Sequence, residues 1–273
     1  MLMENLRFYP EETLGDLDFA KRLSKLGDCY VNDAFGTAHR AHASTTIMAQ
    51  FFKDDKFFGR LLEKEVNAIE KVLKSGEKPV LAILGGAKVS SKITIIENML
   101  DKINHLIIGG GMVYTFAKAQ GGSIGNSICE EDYCDYALEL LEKAKAKGVQ
   151  VHLPVDVIIA DHFSNDAQQK ICKVGEIPDA WEGLDAGPET LKRIESVVMQ
   201  SRTLLWNGPL GVFEFENFAA GTVMLGEFIA KSTAEGAFSL VGGGDSVSAV
   251  KQFGFEDRMS YISTGGGAML ESL

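Results

Sequence analysis

Five short apolar runs that each stop at glycine constrain the fold of this 273-residue chain more than any other feature. The chain contains 29 glycines, and they are concentrated behind these runs. Continuous apolar runs of this length are typical of strands that are buried on both faces of a sheet. The runs are VLAILGG (80–86), HLIIGGG (105–111), TLLWNGP (203–209), AFSLVGGG (237–244) and SYISTGGG (260–267).

Helical patterns separate these runs. Residues 129–148 place apolar side chains at helical spacing before Gly148, and residues 188–201 show the same spacing. A sixth apolar run, at 149–160, is broken by Pro154. Alternation of strands and helices predicts an α/β fold, a Rossmann-like parallel sheet with helices on both faces. Ligands of such sheets bind beyond the carboxyl ends of the strands. The glycines lie at those ends.

The first third of the chain has a different organisation. Residues 4–10 and 29–36 have strand-like patterns and flank a predicted helix at 16–27, with Asp16 as its N-cap. Apolar side chains at helical spacing over residues 57–79 predict a long helix that joins two lobes. We therefore place a domain boundary within this helix.

Composition excludes several classes of protein. The net charge of −11 argues against nucleic acid as a partner, because phosphate neutralisation dominates that binding. No apolar stretch is long enough to cross a bilayer and no signal peptide is visible, so we expect no membrane partner. Scattered cysteines without a CxxC pair predict free thiols in a reducing, cytoplasmic compartment. They are Cys29, Cys129, Cys134 and Cys172.

Two lysines follow the first glycine turn. If residues 89–100 form a helix, Lys88 and Lys92 lie at its N-terminus, where the helix dipole disfavours cations by about 0.3–1 kcal/mol each. Like charges at this spacing add a few tenths of a kcal/mol of repulsion. An anion explains the pair, because phosphate binds free N–H groups and cations at such an end. The alternative is two solvated lysines.

A second phosphate-binding element is GGGDS, residues 242–246. Glycines at 242–244 let backbone N–H groups approach a phosphate closely. Asp245 is either the N-cap of the following helix or a ligand of Mg²⁺, which favours one or two carboxylates together with phosphate oxygens. The spacing of the glycines and lysines matches neither the P-loop nor the dinucleotide fingerprint.

Other polar residues near the turns leave two interpretations open. Glu214, in the turn that also contains Asn207, either accepts ribose hydroxyls or is a solvated charge. In the first lobe, GTAHRAHAS (36–44) groups His39 and Arg40 among small residues, and Arg7 follows a strand-like run. These cations suit a small phosphorylated or carboxylated substrate, but solvated surface cations are equally consistent with the pattern.

Taken together, nine segments resemble the phosphoglycerate kinase family in consistent order from residue 4 to about residue 271. The segments are ENLRFYPEE, GDCYVNDAFGTAHRAHAS, LAILGGAKVSSKI, LIIGGGM, LPVD, GLDAGPET, WNGPLGVFE, VGGGDSVSAV and STGGGA. The resemblance implies reversible phosphoryl transfer between 1,3-bisphosphoglycerate and MgADP, which gives 3-phosphoglycerate and ATP in glycolysis. It also implies two Rossmann-like lobes and, for the full-length family, a monomer. By this resemblance, residues 1–56 are a remnant of the N-terminal phosphoglycerate-binding lobe, part of a second α/β lobe, residues 57–75 are an interdomain helix, and residues 76–273 are the C-terminal nucleotide-binding lobe.

The resemblance also implies roles for individual residues. Lys88 accompanies the transferring phosphoryl group, Lys92 contacts the nucleotide phosphates, and Asp245 is the Mg²⁺ ligand. Catalytic positions are Lys88, Lys92, Gly243 and Gly244, and the phosphoglycerate anion is held by Arg7, His39 and Arg40. Nucleotide contacts are implied for Gly86, Ala87, Lys88, Lys92, Gly111, Ile128, Gly183, Leu184, Asn207, Val212, Glu214, Gly242, Gly243, Gly244, Asp245 and Ser246.

Phosphoryl transfer needs positioning and electrostatic stabilisation more than covalent chemistry. The family's chain has an earlier segment, with a further catalytic arginine, and a longer C-terminal segment that these 273 residues lack. We therefore expect a shortened chain that binds nucleotide and is inactive or nearly so by itself. The alternative is a non-catalytic adenine-nucleotide-binding module, whereas a nicotinamide-dependent dehydrogenase would need the fingerprint that is missing.

Overall fold

The computed structural model describes residues 2–273 and contains both strands and helices throughout that range. The strands are β1 Tyr30–Asn32, β2 Lys56–Phe58, β3 Val80–Leu84, β4 His105–Ile108, β5 Ser123–Ile124, β6 Gln150–His152, β7 Asp156–Ala160, β8 Gln169–Lys173, β9 Glu176–Ile177, β10 Glu182–Ala186, β11 Thr203–Asn207, β12 Phe238–Val241 and β13 Tyr261–Ile262. The α-helices are α1 Pro10–Leu14, α2 Leu17–Ser24, α3 Arg60–Leu73, α4 Ile93–Met99, α5 Val113–Ala119, α6 Cys134–Ala146, α7 Pro188–Gln200, α8 Ala220–Ala234, α9 Gly244–Gln252 and α10 Gly267–Ser272.

Two compact units divide the chain. The first contains residues 1–69 and 264–272, and the second contains residues 70–263 with residue 273. The division falls within α3, the helix that the sequence pattern predicted as the connection. The assignment of the units to phosphoglycerate and to nucleotide stays a prediction.

The second unit is built on a six-stranded parallel sheet in the order β13-β12-β11-β3-β4-β6. From β3 the chain proceeds outward to β4 and β6, then crosses back and proceeds through β11, β12 and β13. This is the strand order of a dinucleotide-binding Rossmann sheet, and its direction reverses between β3 and β11. Both of these strands are buried along their whole length. The predicted Rossmann-like parallel sheet is confirmed.

Helices α7 and α8 cover one face of this sheet. Ile194 and Val198 of α7 and Ile229 of α8 pack against Leu204 and Trp206 of the sheet, and all five side chains are buried. Residues 188–201 therefore form the helix that their spacing predicted. Burying a large aliphatic side chain contributes about 1.5–3 kcal/mol, so these contacts are a main source of stability for the unit.

A second sheet in this unit is antiparallel, which the sequence pattern did not predict. Strand β7 pairs with β8 and β10 in the order β10-β7-β8. The run at 149–160 is therefore split at Pro154, with β6 in the parallel sheet and β7 in the antiparallel one. Strand β8 (QKICK) is mostly exposed and polar, so it lacks the apolar signal that marks the other strands.

The first unit has little sheet. Strands β1 and β2 form a two-stranded parallel pair. Helix α2 begins as predicted, with the Asp16 carboxylate accepting a hydrogen bond from the Phe19 backbone N–H at 2.7 Å. The predicted strand at 4–10 is wrong. Asn5 caps a 3₁₀ turn at Leu6–Phe8, and Pro10, at the first position of α1, is favoured there because it lacks an N–H.

Residues near the end of the chain complete the first unit, whereas the sequence analysis grouped them with the larger lobe. The Glu65 carboxylate accepts hydrogen bonds from the backbone N–H and the hydroxyl of Thr264, both at 2.7 Å. Gly265 packs against the Phe35 ring so closely that a Cβ atom would overlap it. These contacts assign 264–272 to the first unit. Within residues 2–273, no helix is both long and apolar enough to cross a membrane.

Candidate nucleotide-binding site

The glycine turns at the ends of β3 and β11 meet at the reversal point of the sheet. A Cβ atom on Gly85 would overlap the carbonyl of Pro209, and one on Gly208 would overlap the backbone of Gly85. Gly208 also has a φ of 108°, which side-chain-bearing residues rarely adopt. Glycine is therefore required for the two turns to approach this closely. The approach leaves an open crevice beyond the carboxyl ends of the strands, where ligands of such sheets bind.

A cavity of about 430 Å³ lies at these turns. This volume suits a small organic ligand, because ligand pockets are about 300–1,000 Å³. Nine residues that the sequence analysis assigned to the nucleotide or its metal ion line the cavity. They are Gly86, Ala87, Gly111, Ile128, Gly183, Leu184, Val212, Glu214 and Asp245.

Seven further lining residues had not been predicted. Phe163 and Glu182 belong to the unforeseen antiparallel sheet and its loops, and the Phe163 ring packs against Phe215 with centroids 4.9 Å apart. The other five lie next to predicted positions in the sequence. A glycine motif there indicates a turn, but it does not identify which neighbouring residues line the cavity. The seven are Gly110, Tyr114, Phe163, Glu182, Pro209, Leu210 and Gly211.

Two buried polar side chains support the cavity walls. Tyr114 lies directly behind Gly183, where a Cβ atom would overlap the Tyr114 hydroxyl, and burial raises the pKa of Tyr114. Asp185 lies behind Gly211 and accepts hydrogen bonds from the backbone N–H groups of Ala186 and Gly221, each at 2.8 Å. Burial raises the pKa of Asp185 to about 7, against the lowering effect of these two hydrogen bonds.

The two lysines do not share one helix face, contrary to the expectation for residues 89–100. Helix α4 begins only at Ile93, and the preceding residues form a turn closed by a hydrogen bond from the Lys92 N–H to the Val89 carbonyl at 2.8 Å. Lys88 is exposed in the loop, whereas Lys92 is half-buried at the N-cap position. The Ser91 hydroxyl donates a hydrogen bond to the Lys88 carbonyl at 2.8 Å, and local bonds of this kind favour a turn over a helix start.

Lys92 is bound to the end of β11. Its Nζ donates a hydrogen bond to Oδ1 of Asn207. Burial lowers the pKa of Lys92, and the charge of Asp245 opposes that effect. Asn207 is itself buried, and its Nδ2 donates to the Gly242 carbonyl at 2.7 Å. The carboxyl ends of β11 and β12 and the start of α4 are therefore joined through one asparagine.

Helix α9 begins at Gly244, in agreement with the interpretation of GGGDS. Gly243 is the N-cap and provides no side-chain hydrogen bond, so the first N–H groups of the helix are free to bind an anion. The Ser246 hydroxyl instead accepts a hydrogen bond from the Gly208 N–H at 2.5 Å. Seven residues proposed as nucleotide contacts do not line the cavity: Lys88, Lys92, Asn207, Gly242, Gly243, Gly244 and Ser246. Asn207, the three glycines and Ser246 adjoin the cavity through the turns just described.

Asp245 is the second residue of α9, so the N-cap interpretation of this residue is wrong. Its carboxylate is exposed at the cavity and forms no hydrogen bond or ion pair with any residue in the range 2–273. Within that range, no three His, Cys, Asp or Glu residues are grouped so as to hold a metal ion by themselves. A single free carboxylate beside the free N–H groups at the start of α9 does fit Mg²⁺, which takes few protein ligands when phosphate oxygens supply the others.

In the first unit, the candidate substrate residues are partly assembled. Nε of Arg40 donates to Nε2 of His39 at 3.3 Å, and the buried Nδ1 of His39 has no hydrogen-bond partner among the described residues. Arg7 lies on the separate 3₁₀ turn Leu6–Phe8. Among residues 2–273, no carboxylate forms an ion pair with Arg7 or Arg40, so both guanidinium groups are available to an anion.

The Rossmann-ordered sheet, its glycine-walled cavity and the adjoining starts of α4 and α9 define an α/β protein of the class that binds a ligand beyond the carboxyl ends of its strands. The family model for phosphoglycerate kinase matches residues 1–273, and the chain belongs to the phosphoglycerate kinase family. Members of this family are phosphotransferases of glycolysis, with a nucleotide and a phosphoglycerate as substrates.

Individual relatives agree with this membership. The chain is 52% identical to the phosphoglycerate kinase of Porphyromonas gingivalis, over all of this chain and 71% of that protein. It is 51% identical to the cytosolic phosphoglycerate kinase of Nicotiana tabacum, over all of this chain and 68% of that protein. The Coxiella burnetii phosphoglycerate kinase structure superposes with a TM-score of 0.92 at 46% identity, covering 98% of this chain and 68% of that one.

Proposed function

We propose that the second unit binds ADP or ATP in the 430 Å³ cavity and presents the nucleotide for phosphoryl exchange with the 1-phosphate of 1,3-bisphosphoglycerate. One observation supports this most strongly. Residues from separate glycine turns, all proposed as nucleotide contacts on sequence grounds, line one cavity of suitable size. The resulting products are 3-phosphoglycerate and ATP.

The apolar and glycine walls suit a flat base, and the polar groups suit the rest of the nucleotide. Gly86, Ala87, Gly111 and Leu184 offer surface for adenine without steric obstruction. Glu214 is exposed at the cavity and forms no hydrogen bond with residues 2–273, so its carboxylate is available to the ribose hydroxyls. Lys92 and Asn207, held together beside the cavity, are the proposed phosphate contacts.

Asp245 would hold Mg²⁺ together with nucleotide phosphate oxygens. Bound there, Mg²⁺ would neutralise phosphate charge and stabilise the charge that develops during transfer. The neighbouring Lys92 has a pKa lowered by burial, so a further negative ligand at this position would favour its charged form.

Lys88 and the start of α9 are the proposed stabilisers of the phosphoryl group in transit. Lys88 is exposed and has no ion-pair partner among residues 2–273, so its ammonium is free to move with the group. The free N–H groups at Gly243 and Gly244 are fixed by the helix. Fixed donors of this kind act without reorganisation during the reaction, which makes them effective stabilisers of developing charge.

In the first unit, Arg7, His39 and Arg40 are the proposed phosphoglycerate contacts. Within residues 2–273, Arg7 and Arg40 form no ion pair and Nδ1 of His39 has no hydrogen-bond partner, which supports this assignment. Arginine suits carboxylate and phosphate groups because its planar fork binds two oxygens at once. A cytoplasmic location is proposed from the four free thiols.

Calorimetric titration with ADP, with and without Mg²⁺, tests the nucleotide site. We expect 1:1 binding that Mg²⁺ strengthens, and we expect Asp245→Asn to abolish the strengthening. Asp257→Asn removes an equally exposed charge outside the cavity and should leave both affinities unchanged. Equal affinity for ADP and MgADP in the unaltered chain would contradict the assignment of Asp245.

A coupled assay for ATP formation from 1,3-bisphosphoglycerate separates catalysis from nucleotide binding alone. Enzymes commonly turn over at about 1–10³ s⁻¹. Turnover that Lys88→Ala reduces, with ADP affinity retained, would support the proposed role of Lys88. ADP binding without any turnover would support the alternative of a nucleotide-binding module for this 273-residue chain.

A further inference from the structure

Cys129 and Cys134 lie beside the cavity wall and contact the same turn of α5. The Glu130 backbone N–H donates to Oγ1 of Thr115 at 3.1 Å, and the Cys134 thiol donates to the Thr115 carbonyl at 3.8 Å. A 3₁₀ turn over residues 131–133 returns the chain from one cysteine to the other. Cys129 also packs against the apolar cluster that contains Tyr114 and Ala117 of α5, and neither cysteine is in a disulfide.

The segment that contains this pair is directly coupled to the proposed nucleotide site. Ile128, next to Cys129, lines the cavity and packs so tightly on Gly111 that a Cβ atom there would overlap it. On the other side of Cys129, the Glu130 carboxylate accepts hydrogen bonds from the Ser90 N–H at 3.0 Å and the Ser90 hydroxyl at 2.6 Å. Ser90 belongs to the loop between Lys88 and Lys92.

We propose that Cys129 and Cys134 form a reversible disulfide that weakens nucleotide binding in the adjacent cavity. The proposal rests on the proposed function for its effect on nucleotide. The two sulfur atoms must close to about 2.05 Å when the bond forms, which moves Cys129 toward the first turn of α6. That movement withdraws Ile128 from the cavity wall and pulls on the Glu130 anchor of the lysine loop.

The chemistry is exchange with a small-molecule disulfide such as oxidised glutathione. One protein thiol loses its proton and attacks a sulfur of the small disulfide, releasing one small thiol and leaving a mixed disulfide. The second protein thiol then loses its proton, attacks the protein sulfur of that mixed disulfide and releases the other small thiol. Two protein thiols are oxidised and one small disulfide is reduced to two thiols.

Charges around the pair set its reactivity. The Lys118 ammonium interacts electrostatically with the Cys134 thiol and forms an ion pair with Glu131. Its positive charge favours the thiolate, which is the reactive form. Burial raises the pKa of Cys134, with its contact to Cys129 acting in the same direction, so exchange is faster at alkaline pH.

The first experiment maps the bond in the unaltered chain. After equilibration with graded mixtures of reduced and oxidised glutathione, peptide mass mapping under non-reducing conditions should find a Cys129–Cys134 crosslink. Cys29 and Cys172, which serve as internal controls, should remain thiols or carry only glutathione. Full oxidation without that crosslink would overturn the pairing, and this measurement requires neither a variant nor nucleotide binding.

The second experiment measures MgADP affinity by calorimetry for the reduced, oxidised and re-reduced chain. Coupling between two sites commonly changes affinity by about 5–150-fold, and we expect oxidation to weaken binding by at least fivefold, with full recovery on reduction. Cys134→Ser should remove the response, whereas Cys172→Ser should keep it. Equal affinity for crosslinked and reduced chains would overturn the coupling. If the reduced chain fails to bind MgADP, the proposed function fails, while the peptide map still decides the pairing.

Discussion

At the scale of single residues, the site depends on a few polar contacts between distant parts of the chain. Lys92 and Asn207 are 115 residues apart in sequence and meet through one hydrogen bond. Asp185, next to a cavity-lining leucine, is a buried carboxylate with two backbone donors and a pKa raised to about 7 by burial. Both contacts can be tested by substituting the charged side chain of each.

Lys92→Ala should weaken ADP binding more than Lys88→Ala does. Lys92 is half-buried and held against Asn207, so it contributes to ground-state binding, and a hydrogen bond to a charged group contributes about 1.5–3 kcal/mol. Lys88 is exposed and is assigned to an interaction made only in the transition state. Loss of such an interaction lowers turnover and leaves ADP affinity unchanged. Titration calorimetry compares both with Lys102→Ala, an exposed lysine outside the cavity. Equal losses of affinity at 88 and 92 would refute the division of roles.

Asp185→Asn should flatten the dependence of stability on pH. The pKa of Asp185 is raised from 3.8 to about 7 in the folded chain, so between those values the folded state binds more protons than the unfolded state. The contribution of Asp185 to the free energy of unfolding therefore falls by up to about 4 kcal/mol as pH rises from about 4 to about 7. Above pH 7 this contribution no longer changes with pH. Urea unfolding at pH 4.5 and pH 7.5 measures the difference, with Asp257→Asn as the control. A variant with the slope of the unaltered chain would show that Asp185 titrates normally.

At the scale of elements, the sheet was predictable and the contacts at its edge were not. Buried strands such as VLAIL and TLLWN can be recognised in the sequence as unbroken apolar runs. Because these runs alternate with helices, the strands are expected to pair in parallel. Strand β8 has no such signal, so the antiparallel sheet and its cavity residues Phe163 and Glu182 could not be predicted. Nor could Tyr114, whose position behind Gly183 depends on packing between segments 69 residues apart.

Gly208→Ala should destabilise the second unit more than Gly236→Ala does. Both glycines have φ near 100°, so both substitutions carry similar backbone strain. A Cβ atom at position 208 would also overlap the backbone of Gly85, whereas one at 236 would meet no atom within 4 Å. Overpacking commonly costs about 1–3 kcal/mol, and we expect that difference between the variants in urea unfolding. Equal stability of the two would mean that the turns of β3 and β11 separate easily.

At the scale of the whole molecule, the two units give the chain two regions that should respond differently to ligand. All residues that line the proposed nucleotide cavity lie between 70 and 263, within the second unit. The chain spans 68–71% of the length of the relatives described above. The expectation of low activity by itself stays a prediction that the coupled assay tests.

MgADP alone should protect the second unit. A ligand at a hundredfold excess over its Kd stabilises the state that binds it by about 2.7 kcal/mol. Hydrogen exchange followed by mass spectrometry should therefore slow in peptides from 80–115, 180–215 and 238–250, and stay unchanged in peptides from 10–50. The same measurement with 3-phosphoglycerate alone provides the control. Protection that is confined to the first unit would contradict the placement of the nucleotide.

The return of residues 264–272 to the first unit has a consequence for how the protein is made. The second unit is a nearly unbroken stretch of chain, whereas Thr264, the partner of Glu65, is translated 199 residues after it. Since synthesis adds residues in order at about 5–20 per second, the contact between Glu65 and Thr264 forms only after the chain between them has been made. All six strands of the Rossmann sheet are made during that interval, so vectorial synthesis allows this sheet to assemble before residues 264–272 join the first unit.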